Sequence, residues 1–269
     1  MVMDDLRALG RKLMEMSAGL RFSGRAGEFV TVGASGDDTL LIDKTAEDII
    51  LAHLGALGEL FTVVSEECGV IGQGPCGVTG QDPLRMIIDP IDGSKNAVNG
   101  VPMFSTSIAA ARGGTLADIH MAYVINLSSG DEFTAETGAG AFLNGRPIAA
   151  SKSADIGIII YETQNPAADI AAIMPLIYAC RRARCFGSTA LDLAHLAGGA
   201  ASVVAIPYMT RAIDFAAGYL LVKEAGGVVT DFSGNDISGT LSGIERSTTL
   251  LAAANPEVHK KAVDLLNGT

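Results

Sequence analysis

Met86-Ile87-Ile88 runs without a break into Asp89-Pro90-Ile91-Asp92-Gly93-Ser94, and few architectures accommodate that junction. A short continuous apolar run predicts a buried strand, so two aspartates are delivered at the strand's end rather than scattered along a surface. Proline fixes φ in a rigid turn, which lets the Ile91 carbonyl be directed at a cation. Gly93 allows a ligand close to the backbone. Gly93, Ser94 and Lys95 then predict a helix start whose free amides can receive phosphate oxygens. A bare D-x-x-D pattern is common, whereas the run I-I-D-P-I-D-G-S-K-N is specific.

Two other elements bring carboxylates. Phe61–Val64 reads as a strand running into Ser65-Glu66-Glu67, and Asp214 opens the nearly all-apolar helix Asp214–Ala225, which must be buried. On its own Asp214 suits a helix N-terminus through capping and the dipole. Together, carboxylates in one apolar cleft repel each other unless protonated or bound to a cation. Hard divalent ions take such oxygen ligands, and no Cys/His grouping of zinc type is present, which points to Mg2+.

The formal charge is −11, with no dense basic run, which argues against a nucleic-acid or anionic-membrane surface. An anionic substrate then needs bound cations to invert the local field. Hydrophobic residues make up 48% and charged residues 18%, a composition that excludes disorder. Cys68, Cys76, Cys180 and Cys185 lack C-x-x-C or zinc-ribbon spacing and read as reduced thiols. The N-terminus is acidic, and no apolar run approaches the ~20 residues that span a bilayer, so a soluble cytoplasmic protein is expected.

Leu6, Leu9, Leu13, Met16 and Leu20 mark a first amphipathic helix. A second is expected from Thr45, with Asp48 completing a capping box and Ala46, Ile49, Ile50, His53, Leu54 and Leu57 facing inward. Ser105–Ala111, Ile119–Asn126 and Asp131–Ala135 read as successive antiparallel strands, and Asn144-Gly145 as a hairpin turn. Beyond residue 150 strands and helices alternate: strands at Ile156–Tyr161, Arg184–Phe186, Ala201–Ile206 and Val228–Thr230, helices at Ala167–Cys180 and from Ser188 to Gly198. An antiparallel-rich α+β half at 1–148 and an α/β half at 149–269 follow, closely packed because no linker separates them.

At these residues the chain resembles the inositol monophosphatase family, within the wider magnesium-dependent phosphatases that include fructose-1,6-bisphosphatases. Asp43 with Glu47, S-E-E-C-G, D-P-I-D-G-S-K-N, F-G-S-T-A-L-D-L-A and I-D-F-A-A-G-Y-L-L-V-K-E-A-G-G match its motifs in order across nearly the whole chain. The resemblance implies a layered αβαβα fold. It implies one magnesium on Glu66, Asp89 and the Ile91 carbonyl, a second on Asp89, Asp92 and Asp214, and a third, weaker ion leaning on Glu66 through water. It further implies in-line attack on phosphorus by water oriented by Asp43 and Ser94 and assisted by Glu66, without a phosphoenzyme, and a homodimer or dimer of dimers.

Ser94 stands where the family usually has threonine, Ile213 where tryptophan is common, and Ala97 where an aromatic residue is common. Arg211, three residues before Asp214, resembles the archaeal branch acting on inositol phosphates and fructose 1,6-bisphosphate, and an arginine can bind a second phosphate bidentately. Asp92, Gly93, Ser94, Gly187, Ser188, Arg184 and Arg211 are therefore the expected substrate contacts, while Arg181, Arg182 and Lys95 read as surface. A 3′-phosphoadenosine 5′-phosphate phosphatase and a non-catalytic regulatory binding protein are the competing readings.

Overall fold

The computed structural model describes residues 1–73 and 83–268, so Cys76 lies outside the described residues. In the first half it forms α1 (Met3–Ser23), β1 (Phe29–Val32), β2 (Asp38–Leu40), α2 (Leu41–Ala56), β3 (Phe61–Ser65), β4 (Gly69–Gln73), β5 (Leu84–Asp92), α3 (Ser94–Asn99), β6 (Ser105–Ala111), β7 (Ile119–Asn126), β8 (Glu132–Glu136), β9 (Gly140–Leu143) and β10 (Arg146–Ile148). The second half holds β11 (Ile158–Tyr161), α4 (Pro166–Ala179), β12 (Arg182–Arg184), α5 (Thr189–Ala197), β13 (Val203–Arg211), α6 (Ala212–Glu224), β14 (Val228–Thr230), β15 (Arg246–Ala253) and α7 (Pro256–Asn267).

These elements stack as helix, sheet, helix, sheet, helix. An eight-stranded sheet in the order β10-β9-β8-β7-β6-β5-β3-β4 is antiparallel except where β3 meets β5. A five-stranded sheet in the order β12-β11-β13-β15-β14 combines parallel β12, β11 and β13 with antiparallel β15 and β14. Successive residues of β5 point to opposite layers. Met86 and Ile88 pack with Leu9, Leu13, Ile50 and Leu54 of α1 and α2. Ile87 packs with Leu191, Leu193, Phe215 and Leu221 of α5 and α6, which fill the space between the sheets. Ile159, Val203 and Leu251 turn outward onto Ile173, Leu176 and Val258 of α4 and α7. Both faces of both sheets are covered, which is why their central strands are apolar throughout rather than alternating. At Gly218 of α6 a Cβ would lie 2.5 Å from Leu193, so only glycine lets α5 and α6 approach this closely.

Strand β5 carries the decisive irregularity. Asp89 pairs with Ser107 and Asp92 with Ser105, so three steps on β5 match two on β6. In a regular strand residues three apart face opposite sides. The extra residue of this bulge restores the phase, and Asp89 and Asp92 both line one cleft.

Several boundaries differ from the sequence expectation. Helix α2 begins at Leu41, not Thr45, because Asp43 Oδ2 accepts the Leu40 amide at 2.9 Å and caps the earlier turn. Thr45 Oγ1 instead donates to the Leu41 carbonyl at 2.6 Å. His53 is half-buried beside Lys12, with Nδ1 3.3 Å from Nζ. The expected Ala201–Ile206 strand is β13, which continues to Arg211. The expected Arg184–Phe186 strand sits two residues earlier, where it pairs in parallel with Ile158–Ile160. Asn144 and Gly145 adopt φ of 51° and 74°, the hairpin turn expected there. Among the described residues no helix is long and apolar enough to cross a membrane.

Candidate active site

A cleft of about 560 Å³ opens where the ends of β3 and β5, the starts of α3, α5 and α6, and the end of β11 converge. Asp43, Glu66, Glu67, Asp89, Ile91, Asp92, Gly93, Ser94, Gly187 and Asp214 line it. Ser94 Oγ lies 2.5 Å from Asp43 Oδ1 and 2.8 Å from the Ile91 carbonyl oxygen, so its one proton serves either acceptor in turn. Glu47 is buried away from the cleft, taking the Ser65 hydroxyl at 2.7 Å and the Cys68 amide at 3.0 Å, which fixes the turn that presents Glu66. Glu67 accepts the Thr39 hydroxyl.

Asp92 is held by the start of α5. Ser188 Oγ donates at 2.5 Å, the Ala190 amide at 2.8 Å and the Thr189 amide at 3.2 Å. Asp214 Oδ2 accepts the Thr210 hydroxyl at 2.9 Å and the Arg211 amide at 3.3 Å. Asp89 differs from both: its Oδ1 is buried and has no hydrogen-bond partner among the described residues.

Crowding of acids shifts their protonation. Burial, then the charge of Asp214, pushes Glu66 up to about 8 against the pull of Arg211. Burial pushes Asp92 up to about 7 although Ser188 and Ala190 oppose it. Glu67 rises to about 7, again through burial. Asp43 and Asp214 rise for the same cause, and Asp89 rises well above the usual range with Glu66 and Asp92 adding to it. A protein holding these carboxylates at neutral pH without a cation keeps protons among them.

The substrate-side arginines sit elsewhere than expected. Arg211 is 7% exposed, and its guanidinium is spent on acids: Nη1 donates to Glu66 Oε1 at 2.7 Å and Nη2 pairs with Asp37. Neither Arg211 nor Arg184 lines the cleft. Arg184 is exposed on edge strand β12 with Nη1 on the Ala183 carbonyl at 2.8 Å. Arg182 bonds the Arg181 carbonyl and Arg181 pairs with Asp155, both at the surface. Lys95 is exposed but reaches the rim.

Sequence reading missed Asp37, Glu162, Gln164 and Tyr208, which also line the cleft or bind its residues. Glu162 follows the Ile156–Tyr161 run as Glu66 follows Phe61–Val64, and that shared strand-into-carboxylate pattern was the available signal. Its Oε1 accepts the Gly187 amide at 2.7 Å. Behind it Asp192 is wholly buried; neither of its oxygens has a partner at ordinary hydrogen-bond geometry, and burial and the adjacent Glu162 raise it well above the usual range.

Among the described residues no three His, Cys, Asp or Glu side chains stand ready to hold a metal as they are placed. The cause is visible: Glu66 is turned to Arg211 and Asp92 to the start of α5. The donor set nevertheless fits a hard divalent cation, being all oxygen, buried and short of counter-charge at Asp89 Oδ1.

Acids at strand ends around a glycine turn, between two sheets separated by a helix pair, form the layered arrangement of a phosphatase. The chain belongs to the inositol monophosphatase family, whose model matches residues 6–267. It is 36% identical over 253 residues to a fructose-1,6-bisphosphatase/inositol-1-monophosphatase of Methanothermobacter thermautotrophicus, covering 90% of this chain and 88% of that one. A fructose-1,6-bisphosphatase of Pyrococcus furiosus is 34% identical over 244 residues, with 89% and 88% covered. Among solved structures, a Pyrococcus horikoshii protein described as similar to inositol-1 monophosphatase superposes with a TM-score of 0.80 at 28% identity, covering 97% of this chain and 98% of that one.

Proposed function

We propose that the protein is a cytoplasmic, homodimeric, magnesium-dependent phosphomonoesterase acting on inositol monophosphate, fructose 1,6-bisphosphate or both. The observation that carries this reading is the buried, unpartnered Asp89 Oδ1 amid Glu66, Asp92 and Asp214, and the relatives' names support the substrate class. Glu66, Asp89, the Ile91 carbonyl, Asp92 and Asp214 would hold two to three Mg2+ ions. Bound there, the cations supply acidified water and counter-charge for the departing alkoxide.

The chain's own groups do the rest. Asp43 Oδ1 and Ser94 Oγ form a hydrogen-bonded pair that orients the attacking water and passes its proton inward. Glu66, which lines the same cleft, assists as a proton acceptor. The Asp92-Gly93-Ser94 turn receives the phosphate. Gly187 faces the alcohol part, and Asp92 contacts it, aimed by the buried Ser188, which lies outside the cleft lining. Arg211 serves chiefly as counter-charge to Glu66 and Asp37, and Arg184, on the edge strand outside the cleft, takes no part.

A phosphate-release panel tests this reading: inositol 1-phosphate, fructose 1,6-bisphosphate and 3′-phosphoadenosine 5′-phosphate, each with magnesium and with EDTA. Release from one or both of the first two, abolished by EDTA, is expected. Release that survives EDTA, or release only from the adenosine bisphosphate, refutes it.

A further inference from the structure

Asn96 and Glu162 have no part in the chemistry above, yet they grip the same turn from two different layers. Asn96 lies on α3, three residues beyond Gly93. Its Nδ2 is 2.6 Å from the Met103 carbonyl oxygen, 2.6 Å from that of Phe186 and 3.3 Å from that of Gly187. Glu162, at the end of β11, accepts the Gly187 amide at 2.7 Å from the other side. Between them the chain has no slack. A Cβ on Gly187 would lie 3.0 Å from Asn96 Nδ2, and one on Gly93 would lie 2.8 Å from the Gly187 carbonyl oxygen.

That turn runs directly into α5, whose first residues supply three of the donors to Asp92: Ser188 Oγ, the Thr189 amide and the Ala190 amide. Asp92 is 8% exposed and its carboxylate follows those donors. Ser105 Oγ, the remaining donor, is more distant at 3.4 Å. The aim of Asp92 therefore depends on where α5 begins, and the start of α5 depends on the clamp.

We infer that Asn96 and Glu162 are positioning residues that fix the Phe186–Ser188 turn and, through Ser188 and Ala190, aim the Asp92 carboxylate into the cleft. The chemistry at each position is specific. The Nδ2 group of Asn96 faces three carbonyl oxygens, so it must donate, and a carboxylate there would offer no donor. Position 162 needs an acceptor for the Gly187 and Phe186 amides, beside the Asp192 carboxyl.

This inference rests on the phosphatase reading and is tested separately from it. Residues that orient a metal ligand contribute roughly 10- to 100-fold in metal affinity or activity. Asn96→Ala, Glu162→Ala and Glu162→Gln are compared with the wild type in three measurements. These are Mn2+ binding by paramagnetic resonance without substrate, kcat and KM for inositol 1-phosphate at saturating magnesium, and Tm. Asn96→Ala and Glu162→Ala are expected to weaken Mn2+ binding about tenfold and lower kcat by about tenfold or more, with KM changed less than about threefold. Glu162→Gln, which keeps the acceptor, recovers most of both losses. A lower Tm with unchanged Mn2+ affinity and kcat overturns the inference, as does Glu162→Gln behaving like Glu162→Ala. Should Asn96→Ala fail to fold, the contrast between the two Glu162 variants decides. A wild type that neither binds Mn2+ nor releases phosphate overturns the phosphatase reading itself, and the clamp's catalytic meaning with it.

Discussion

Arg211→Met keeps most of the apolar stem and removes a guanidinium that lies 2.7 Å from Glu66 Oε1 and also pairs with Asp37. Arg211 is 7% exposed, so its charge acts in a poorly screened setting. Its burial by itself disfavours the cation, but Asp37, Asp214 and Glu66 outweigh that and raise its pKa. Taking one partner from a buried pair costs about 3–5 kcal/mol. The Asp37 side chain is 59% exposed, so its share is small. Glu66, already prone to hold a proton, takes one up more readily and recovers part of the loss. A net cost of about 2–3 kcal/mol remains, which at about 2–4 °C per kcal/mol for a chain of this size lowers Tm by about 4–12 °C. The assay is calorimetric or dye-monitored melting at pH 8 in EDTA, repeated with excess magnesium. Magnesium is expected to recover more than half of the loss, because cations then supply the charge that Arg211 gave. A metal-free Tm within about 2 °C of wild type refutes the reasoning. Equal losses with and without magnesium would show that Arg211 acts through packing alone.

Asp214→Asn keeps an oxygen for the Thr210 hydroxyl and the Arg211 amide but loses the charge; phosphate release is expected to fall by about a hundredfold or more with Tm nearly unchanged, and unimpaired release at saturating magnesium would refute the site. The pH dependence of metal-free stability has a definite sign. Glu66 is raised from 4.5 to about 8 and Asp92 from 3.8 to about 7, and a carboxyl raised on folding contributes stability present below its ordinary value and lost as pH climbs through the raised one. Tm in EDTA should therefore decline between about pH 4.5 and pH 8, while magnesium flattens the decline by replacing the protons; a metal-free Tm that is highest near pH 8 would contradict it.

The central strands and their acids were legible because each apolar run ends at a carboxylate: Val64-Ser65-Glu66 and Ile88-Asp89 mark their own boundaries. What escaped was set by partners distant along the chain. Strand β1 is exposed at all four residues, so no alternation betrays it. Strand β15 begins Arg246-Ser247-Thr248-Thr249 and declares itself only by pairing with β13 and β14. Helix α7 did carry a local signal, since Asn255 caps it by accepting the Val258 amide at 3.0 Å and Pro256 follows at its first position. Arg211 reads as a phosphate ligand from its place beside Asp214. Only the fold shows Asp37 and Glu66 closing on it from another layer. The clamp at Gly187 was illegible for the same reason, because Asn96 and Glu162 belong to no common motif.

The bulge in β5 also explains why the two aspartates are spaced by two residues and not one. A strand written in twos would spell the site D-x-D; here the third letter is a change of phase, and it marks the point where the sheet stops being a wall between cores and becomes the floor of a cleft. If β5 kept its D-x-x-D spacing but paired with β6 in regular register, every functional group would remain in the chain and one of the pair would still face the wrong layer.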